Sequence, residues 1–348
     1  MIAKTKSRNF LTLLKQKKEQ YPDKVIYRVL DRAGAETTLT YTQLDTIALS
    51  IADAILETCV PRDRVILFYN SSIDFLTAFF GCFYAGVIAV PAYAPSKNQK
   101  LSRIEAIIAN AEVKLVLTTP DIAQLLSINN QETSHLLDNM PILLTTEIPF
   151  ESRQANVLPT INDSDIAFLQ YTSGSTGTPK GVIITHENMT ENQLVIQELS
   201  GSNMNSCMVT WLPHFHDMGL IGGLLHPLYI GFEAVVLSPI DFLREPAKWL
   251  RAISDYKATM SGGPNFSFQL CLDKIKDEQI QGVDLTSWNF AFNGAEPISA
   301  STMAMFADRF RSYGFDSTAV SPCYGMAEST LMVTSVQASE KAKVINVN

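Results

Sequence analysis

Residues Tyr171–Val182 read YTSGSTGTPKGV, and this stretch decides how the rest of the chain is interpreted. A run of Thr, Ser and Gly from Thr172 to Gly177 follows the apolar segment 166–171, which is typical of a strand. Glycine permits close approach of the backbone to a ligand, and successive backbone N–H groups with hydroxyl donors form an anion site. Lys180 adds a positive charge. The stretch therefore indicates a loop that binds a polyphosphate.

The spacing excludes two better-known loops. A Walker A loop ends in Gly-Lys-Ser/Thr, whereas Pro179 precedes Lys180 and Gly181 follows it. A nucleophile elbow needs Gly-x-Ser-x-Gly, but the residue two before Ser173 is tyrosine and the one two before Ser175 is serine. A flexible Gly/Ser linker is the plainest alternative, and the fixed Pro-Lys-Gly ending between two strands argues against it.

Composition narrows the class of protein. The chain has 348 residues, 46% of them hydrophobic, which is enough for two domains. The net charge of -8 does not indicate the basic surface patch that binds nucleic acid, so we expect no nucleic-acid partner. The five cysteines form no CxxC pair and the N-terminus has no long apolar stretch, so we expect a cytoplasmic protein. The uncharged run Phe75–Val90 is shorter than the ~20 residues of a spanning helix, so we expect no stable membrane insertion.

Segments typical of strands and helices alternate along the chain. The first half shows β-rich runs at Arg64–Tyr69, Val87–Val90 and Val113–Thr118, with helical patterns at Ile73–Tyr84 and Leu101–Ala111. This alternation predicts α/β layers with parallel sheet.

The same pattern continues beyond a polar, Pro-containing stretch at Glu151–Asp165, where we place a soft boundary. Further strands are predicted at Ile166–Tyr171, Val182–Thr185, Met208–Leu212, Ala234–Leu237, Phe290–Phe292 and Ala319–Ser321, with helices at Glu187–Leu199, Pro246–Tyr256 and Ala300–Arg311.

The stretch YTSGSTGTPKGV resembles the phosphate-binding loop of the adenylate-forming superfamily, which includes acyl-CoA synthetases, luciferases and peptide-synthetase adenylation domains. The resemblance implies an α/β fold in which two layered subdomains form a large N-terminal domain. Here we expect these subdomains at residues 1–160 and 161–348, the second with the ATP and acyl site, and we expect the family's C-terminal domain to be absent from the chain. The loop residues implied to bind ATP are Thr172, Ser173, Gly174, Ser175, Thr176, Gly177 and Lys180.

A second motif, WLPHFHDMGLIGG at Trp211–Gly223, looks like the fatty acyl-AMP ligase branch of that superfamily. Its cluster of His214, His216 and Asp217 also permits a metal site. The remaining histidines show no supporting spacing for the three or four ligands that zinc needs, which disfavours that alternative. By resemblance, His216 borders the carboxylate and phosphate site.

Two shorter motifs follow in the family's order. FNGAEPI at Phe292–Ile298 could be an ordinary strand-to-helix turn, and the resemblance implies that it faces adenine. In YGMAEST, the resemblance makes Tyr324 stack on adenine and Glu328 hold Mg²⁺, which binds one or two carboxylates together with substrate phosphates. The residues implied to contact the nucleotide are Asn293, Gly294, Ala295, Glu296, Tyr324, Gly325, Met326 and Ala327.

The implied reaction is attack of a medium- or long-chain fatty acid carboxylate on ATP, which gives an acyl-adenylate and pyrophosphate. We expect Lys180, His216 and Glu328 to be the catalytic residues, ATP and Mg²⁺ to be the cofactors, and residues 219–228 with Phe266 and Phe268 to line an acyl tunnel. The acyl group is expected to pass to an acyl carrier protein. An acyl-CoA ligase and a catalytically silent binding fragment stay open as alternatives. Without the family's C-terminal lysine, the 348 residues alone are expected to be a poor catalyst.

Overall fold

The computed structural model describes residues 9–96, 101–130, 140–149, 158–172, 179–338 and 340–345. The strands in these ranges are β1 Val25–Leu30, β2 Glu36–Thr40, β3 Arg64–Phe68, β4 Ile88–Ala92, β5 Val113–Thr118, β6 Ile142–Leu144, β7 Ile166–Thr172, β8 Lys180–Thr185, β9 Cys207–Thr210, β10 Glu233–Val236, β11 Met260–Gly263, β12 Phe290–Asn293, β13 Val320–Gly325 and β14 Met332–Ser335.

The α-helices are α1 Phe10–Gln20, α2 Tyr41–Leu56, α3 Ser72–Ala85, α4 Ser102–Ala111, α5 Pro120–Asn130, α6 His186–Ser200, α7 His226–Ile230, α8 Pro239–Arg244, α9 Ala247–Asp255, α10 Asn265–Lys274 and α11 Ala300–Phe310. A π-helix spans Met218–Leu225, and a short 3₁₀ helix spans Ala327–Ser329.

Local sequence signals set several of these helix ends. Helix α2 begins with a capping box, in which Thr40 Oγ1 accepts from Gln43 N and Gln43 Oε1 accepts from Thr40 N. Helix α3 begins at an N-cap serine, Ser71, and ends at Gly86, whose φ of 66° is a conformation that favours glycine. The predicted buried helix and strand of the run Phe75–Val90 are therefore present as α3 and β4.

The first compact unit comprises the described residues of Met1–Lys24 and Leu39–Thr190. Its sheet has the order β6-β5-β3-β4-β7-β8, parallel except for the antiparallel pair β7–β8. Helix α3 is buried along most of its length, and a row of its phenylalanines packs in the core of this unit, with Phe79 edge-on to Phe168 of β7. Sequence and structure agree here because α3 is apolar on all sides.

The second compact unit comprises Val25–Thr38 and the described part of Glu191–Asn348. Its sheet has the order β14-β13-β12-β11-β9-β10-β1-β2, with parallel pairing from β1 through β10, β9, β11 and β12 to β13, and an antiparallel β14 at the edge. An aromatic cluster fills one part of its core, where Trp249 and Trp288 pack against Phe268, and Phe268 packs against Phe306.

The predicted α/β class with mostly parallel sheets is confirmed. The two units divide inside α6, between Thr190 and Glu191, and not near the predicted boundary at residues 151–165. Strand pairing explains the difference, because β7 joins β4 in the first sheet and β1 joins β10 in the second. Within the described residues, no helix is both long enough and apolar enough to cross a membrane.

Candidate active site

The phosphate-loop motif lies in the first unit, on the hairpin β7–β8. Thr172 and Lys180 are register partners and close the hairpin, while Ser173, Gly174, Ser175, Thr176 and Gly177 lie outside the described residues. A Cβ atom at Gly181 would come within 2.9 Å of the Tyr171 ring, so the motif's last glycine lets that ring lie across the strand. The Tyr171 hydroxyl donates to Asn110 Oδ1 at 2.6 Å. The described part of the motif is the pair of strands that presents the exposed Lys180.

A cavity of about 190 Å³ lies in the second unit, and it joins the three other motifs. His216 and Asp217 come from the second motif, Gly294 and Ala295 from the third, and Tyr324 and Gly325 from the fourth. The remaining lining is almost wholly apolar: Ile196, Met208, Met218, Gly222, Met260, Phe290, Phe292, Cys323, Leu331 and Met332.

The apolar end of the cavity follows the register of the sheet. Met260 of β11 is the register partner of Met208 in β9 and of Phe290 in β12, so these side chains stand side by side on one face. All three lie near the starts of their strands. Because methionine is flexible and polarisable, a cavity with Met208, Met218, Met260 and Met332 in its walls adapts to an apolar ligand of variable shape.

The motif residues lie at the opposite, carboxyl ends of the same parallel strands. His216 follows β9, Gly294 and Ala295 follow β12, and Tyr324 and Gly325 end β13. In open parallel sheets, ligands bind outside this edge. The cavity therefore extends from an apolar region along the strands to the edge where the motifs meet.

The second motif is fixed by packing on both sides of His216. Trp211 stacks on Phe242 with ring centroids 3.9 Å apart, and Gly219, the second residue of the π-helix, packs against the backbone carbonyl of Pro213. The His216 side chain between these anchors is 67% exposed, with its Nδ1 3.7 Å from Asp217 Oδ1. His214 is instead buried. In the part of the chain that the structure describes, no three His, Cys, Asp or Glu side chains converge as a metal-binding group.

Hydrogen bonds among buried polar side chains hold the π-helix that follows His216. Gln193 Nε2 donates to the Ile221 carbonyl at 3.1 Å, and Gln193 Oε1 lies 2.7 Å from Nδ1 of His226. The other ring nitrogen of His226 lies 2.8 Å from Ser202 Oγ. Complete burial lowers the pKa of His226 to about 3, so the ring is neutral at physiological pH.

The third motif forms a tight turn with a strained residue. Ala295 has φ 67°, a left-handed backbone conformation that residues other than glycine rarely adopt. Asn293 is fully buried, and its Oδ1 has no hydrogen-bond partner among the described residues. Glu296 Oε1 accepts from the Phe266 N–H at 2.6 Å, so this carboxylate holds the start of α10, whereas α11 begins at Ala300. Backbone strain of this kind tends to be kept at functional sites.

The fourth motif exposes to solvent the two side chains that are predicted to contact adenine and Mg²⁺. The Tyr324 side chain is 58% exposed, which leaves a ring face open for stacking. Glu328 is exposed in the 3₁₀ helix Ala327–Ser329. A Cβ at Gly325 would lie 2.2 Å from the Leu331 carbonyl, so only glycine lets the two arms of this turn approach each other.

The structure thus brings His216, Gly294, Ala295, Tyr324 and Gly325 to one cavity. Asn293, Glu296, Met326, Ala327 and Glu328 lie in the same segments but do not line it.

Few of the residues predicted to line an acyl tunnel line this cavity. Gly222 lines it, whereas Phe268 packs in the aromatic core and Phe266 is exposed beside Trp211. The strand residues Met208 and Met260 were missed, since their role depends on register across three strands.

Fold and motifs define the class: the chain belongs to the AMP-binding enzyme family, whose model matches residues 14–347. This confirms the resemblance seen in the sequence. The chain is 38% identical, over 99% of its length, to "Medium-chain-fatty-acid--[acyl-carrier-protein] ligase JamA" of Moorena producens (strain JHB), and it covers 59% of that protein. It is 36% identical, over 94% of its length, to "Long-chain-fatty-acid--AMP ligase FadD32" of Mycolicibacterium smegmatis, and it covers 53% of that protein.

A solved structure matches over nearly the same span. The crystal structure of a fatty acyl-adenylate ligase from L. pneumophila, in complex with acyl adenylate and pyrophosphate, superimposes with a TM-score of 0.90 at 38% sequence identity. The match covers 96% of this chain and 58% of that chain. The chain therefore spans a little more than half the length of the relatives that it matches.

Proposed function

We propose that the protein activates a medium- or long-chain fatty acid with ATP and passes the acyl group to the phosphopantetheine of an acyl carrier protein. The observation that carries the proposal is the methionine-rich apolar cavity that ends at the His216, Ala295 and Tyr324 segments. An alkyl chain would occupy the apolar part and place its carboxylate at the carboxyl edge of the sheet. The names of similar ligases, which act on fatty acids, support this choice of substrate.

The proposed reaction forms one bond and breaks one. A carboxylate oxygen of the fatty acid attacks the α-phosphorus of ATP, and the bond from that phosphorus to the bridging oxygen breaks. Pyrophosphate leaves with the electron pair of that bond. Because two anions must meet, catalysis depends on positioning and on charge stabilisation rather than on a covalent intermediate with the protein.

The motif residues suit these tasks. The exposed ring of Tyr324 offers a stacking face for adenine, and the backbone at Gly294 and Ala295 can approach the base closely. The exposed ring of His216 is available to donate to the carboxylate or phosphate oxygens.

Mg²⁺ and the phosphate loop would complete the charge balance. Glu328 is an exposed single carboxylate, which fits a magnesium ion that arrives with ATP and keeps phosphate and water ligands. When bound, Mg²⁺ would neutralise phosphate charge, and Glu328 would fix its position. We further propose that Lys180 and the residues Thr172 to Gly177 bind the phosphates. Lys180 would act there as a point charge.

The test uses the full natural gene product and fatty acid-dependent ATP–pyrophosphate exchange. Glu328→Ala and Lys180→Ala should each weaken handling of Mg·ATP by ~1.5–3 kcal/mol, roughly a factor of 10 to 150, with less effect on fatty acid binding. Glu198→Ala on α6 and Lys114→Ala on β5 are matched controls, because each removes an exposed side chain of the same charge. Unchanged exchange in both site variants would refute the nucleotide assignment.

The acceptor is tested by product analysis. With fatty acid and Mg·ATP we expect acyl-AMP, and with a phosphopantetheinylated carrier protein we expect the acyl thioester on the carrier. Rapid formation of acyl-CoA when coenzyme A is the only acceptor would instead identify an acyl-CoA ligase. Absence of any pyrophosphate release, with ligand binding retained, would identify a silent binding protein.

A further inference from the structure

Asn192, a buried residue of α6 outside the four motifs, contacts the segment that follows Glu328. Its Nδ2 donates to the carbonyl of Met332 at 3.0 Å and to the carbonyl of Ser329 at 3.3 Å, and its Oδ1 accepts from the Met332 N–H at 3.0 Å. The side chain therefore bonds both arms of the turn at residues 329–332. It pairs with Met332 through the same donor and acceptor groups that a neighbouring strand would use.

The turn that Asn192 holds has an unfavourable backbone. Thr330 has φ 69° and ψ -62°, and the Leu331 N–H donates to the Ser329 carbonyl at 2.8 Å, which together define a γ-turn with a positive φ. This conformation is rare and strained, especially for a β-branched residue. Such a turn persists only when its surroundings enforce it, and the bonds of Asn192 to Ser329 and Met332 span the strained residue.

The position of this turn connects it to the site. Glu328 lies two residues before Thr330, while Leu331 and Met332 line the apolar cavity. A second bond closes the same loop, from the Met326 N–H to the Leu331 carbonyl at 3.0 Å. Relaxation of the γ-turn would therefore move the magnesium-binding carboxylate and the cavity wall together.

We propose that Asn192 is a positioning residue that sets the place of Glu328 and of the cavity wall through the Thr330 turn. The inference rests on the proposed function for its consequence in catalysis, and on the described hydrogen bonds for its structural part. Asn192 itself need not touch ATP or the acyl chain.

Two substitutions and one control separate positioning from general stability. Asn192→Ala removes every bond of the amide, and Asn192→Asp keeps the acceptor for Met332 N–H but sets a carboxylate oxygen against the two carbonyls. Gln197→Ala is the matched control, because Gln197 is an amide on the same helix and donates to the Ser202 carbonyl, away from the turn.

The first measurement needs no ligand. In hydrogen–deuterium exchange of the 348-residue chain, Asn192→Ala should raise exchange in the peptide that covers residues 326–335 by roughly 10-fold, the effect of one net hydrogen bond. Exchange in strands β9 and β11 should match the parent, and Gln197→Ala should leave residues 326–335 unchanged. Unaltered exchange of residues 326–335 in Asn192→Ala overturns the proposal.

The second measurement uses calorimetry to follow two binding reactions separately. One is the binding of Mg²⁺ with a non-hydrolysable ATP analogue, and the other is the binding of a fatty acid alone. Asn192→Ala and Asn192→Asp should weaken Mg·nucleotide binding about 10-fold, and Gln197→Ala should not.

In the full natural gene product, the same variants should raise the magnesium concentration at half-maximal exchange. Their KM for fatty acid should change much less. Parent-like magnesium dependence in a variant whose residues 326–335 exchange faster would overturn the positioning role. If the parent protein itself shows neither nucleotide binding nor exchange, the proposed function fails, while the exchange of residues 326–335 still decides whether Asn192 holds the turn.

Discussion

Gly219→Ala should disrupt the segment that carries His216, whereas Gly222→Ala, three residues later in the same π-helix, should not. A Cβ at Gly219 would lie 2.1 Å from the Pro213 carbonyl oxygen, about 0.9 Å inside the 3.0 Å below which Cβ contacts essentially do not occur. The colliding atom is backbone and cannot rotate away. A Cβ at Gly222 would instead meet the tip of the Leu331 side chain at 3.2 Å, beside the cavity.

Two contributions to the free energy of unfolding of these variants have opposite signs. Alanine is favoured over glycine in a helix by about 1 kcal/mol, which stabilises both variants to a similar extent. At Gly219 this gain is opposed by an overpacking cost of about 1–3 kcal/mol or more, because the backbone itself must move. At Gly222 a shift of a few tenths of an ångström by Leu331 into the cavity relieves the contact. Because the helix gain is common to both variants, we expect Gly219→Ala to be less stable than Gly222→Ala by roughly 1–3 kcal/mol or more.

Urea unfolding of the chain, followed by tryptophan fluorescence, measures this difference. Trp211 is the first residue of the motif, and its fluorescence should report the loss of packing there. Gly219→Ala should also weaken fatty acid binding, since Gly219 fixes the entry to the helix that lines the cavity. Equal free energies of unfolding for the two alanine variants would show that the close approach of Gly219 to Pro213 does not constrain the fold.

Three further predictions concern backbone strain and titration. Because φ is positive at Ala295, Ala295→Gly should leave the free energy of unfolding in urea unchanged or raise it by up to about 1 kcal/mol. The control Ala304→Gly, at an exposed position in the middle of a helix, should lower it by about 1 kcal/mol. A similar loss in both variants would show that the backbone at Ala295 is not strained. Burial lowers the pKa of His226 in the folded protein to about 3, whereas the pKa in the unfolded chain is about 6.5. Between these two pH values the unfolded chain binds a proton at His226 that the folded protein does not. The free energy of unfolding should therefore fall by about 2 kcal/mol from this residue between pH 8 and pH 5. His226→Gln should reduce that pH dependence by about the same amount, and an unchanged slope would refute the assignment. Burial also raises the pKa of Cys323 to about 11, so its alkylation by iodoacetamide at pH 8 should be roughly 100-fold slower than that of an exposed thiol, as measured by peptide mass spectrometry; labelling at the exposed rate would show that the thiol is accessible and ionised.

The sequence alone predicted most of the secondary structure. Val113–Thr118 forms β5 with the predicted limits, and the predicted helix over Ala300–Arg311 is α11, Ala300–Phe310. These segments could be read because apolar periodicity and cap residues are local signals. Motif recognition also located the segments of His216, Ala295 and Tyr324 that the cavity brings together.

Long-range pairing was beyond such local signals. The division of the chain inside α6 depends on which sheet each strand joins, and β1 pairs with β10 more than 200 residues later, as Tyr27 and Ala234 show. The polar, Pro-containing composition around Glu151–Asp165 predicts a loop, but a predicted loop need not be a boundary between packed units.

What the sequence determined by itself is the chemistry that the residues offer: a loop rich in Gly, Ser and Thr that ends in Lys180, an aromatic ring at Tyr324 and a carboxylate at Glu328, all in short contiguous motifs. Tertiary structure alone decided which apolar residues form the cavity, since the row of Met208, Met260 and Phe290 exists only when three strands pair in register. It also decided the role of Asn192, whose partners lie about 140 residues away in the chain. The physical reason is that side-chain identity is local, whereas register, burial and hydrogen-bond partners are fixed by contacts between distant segments.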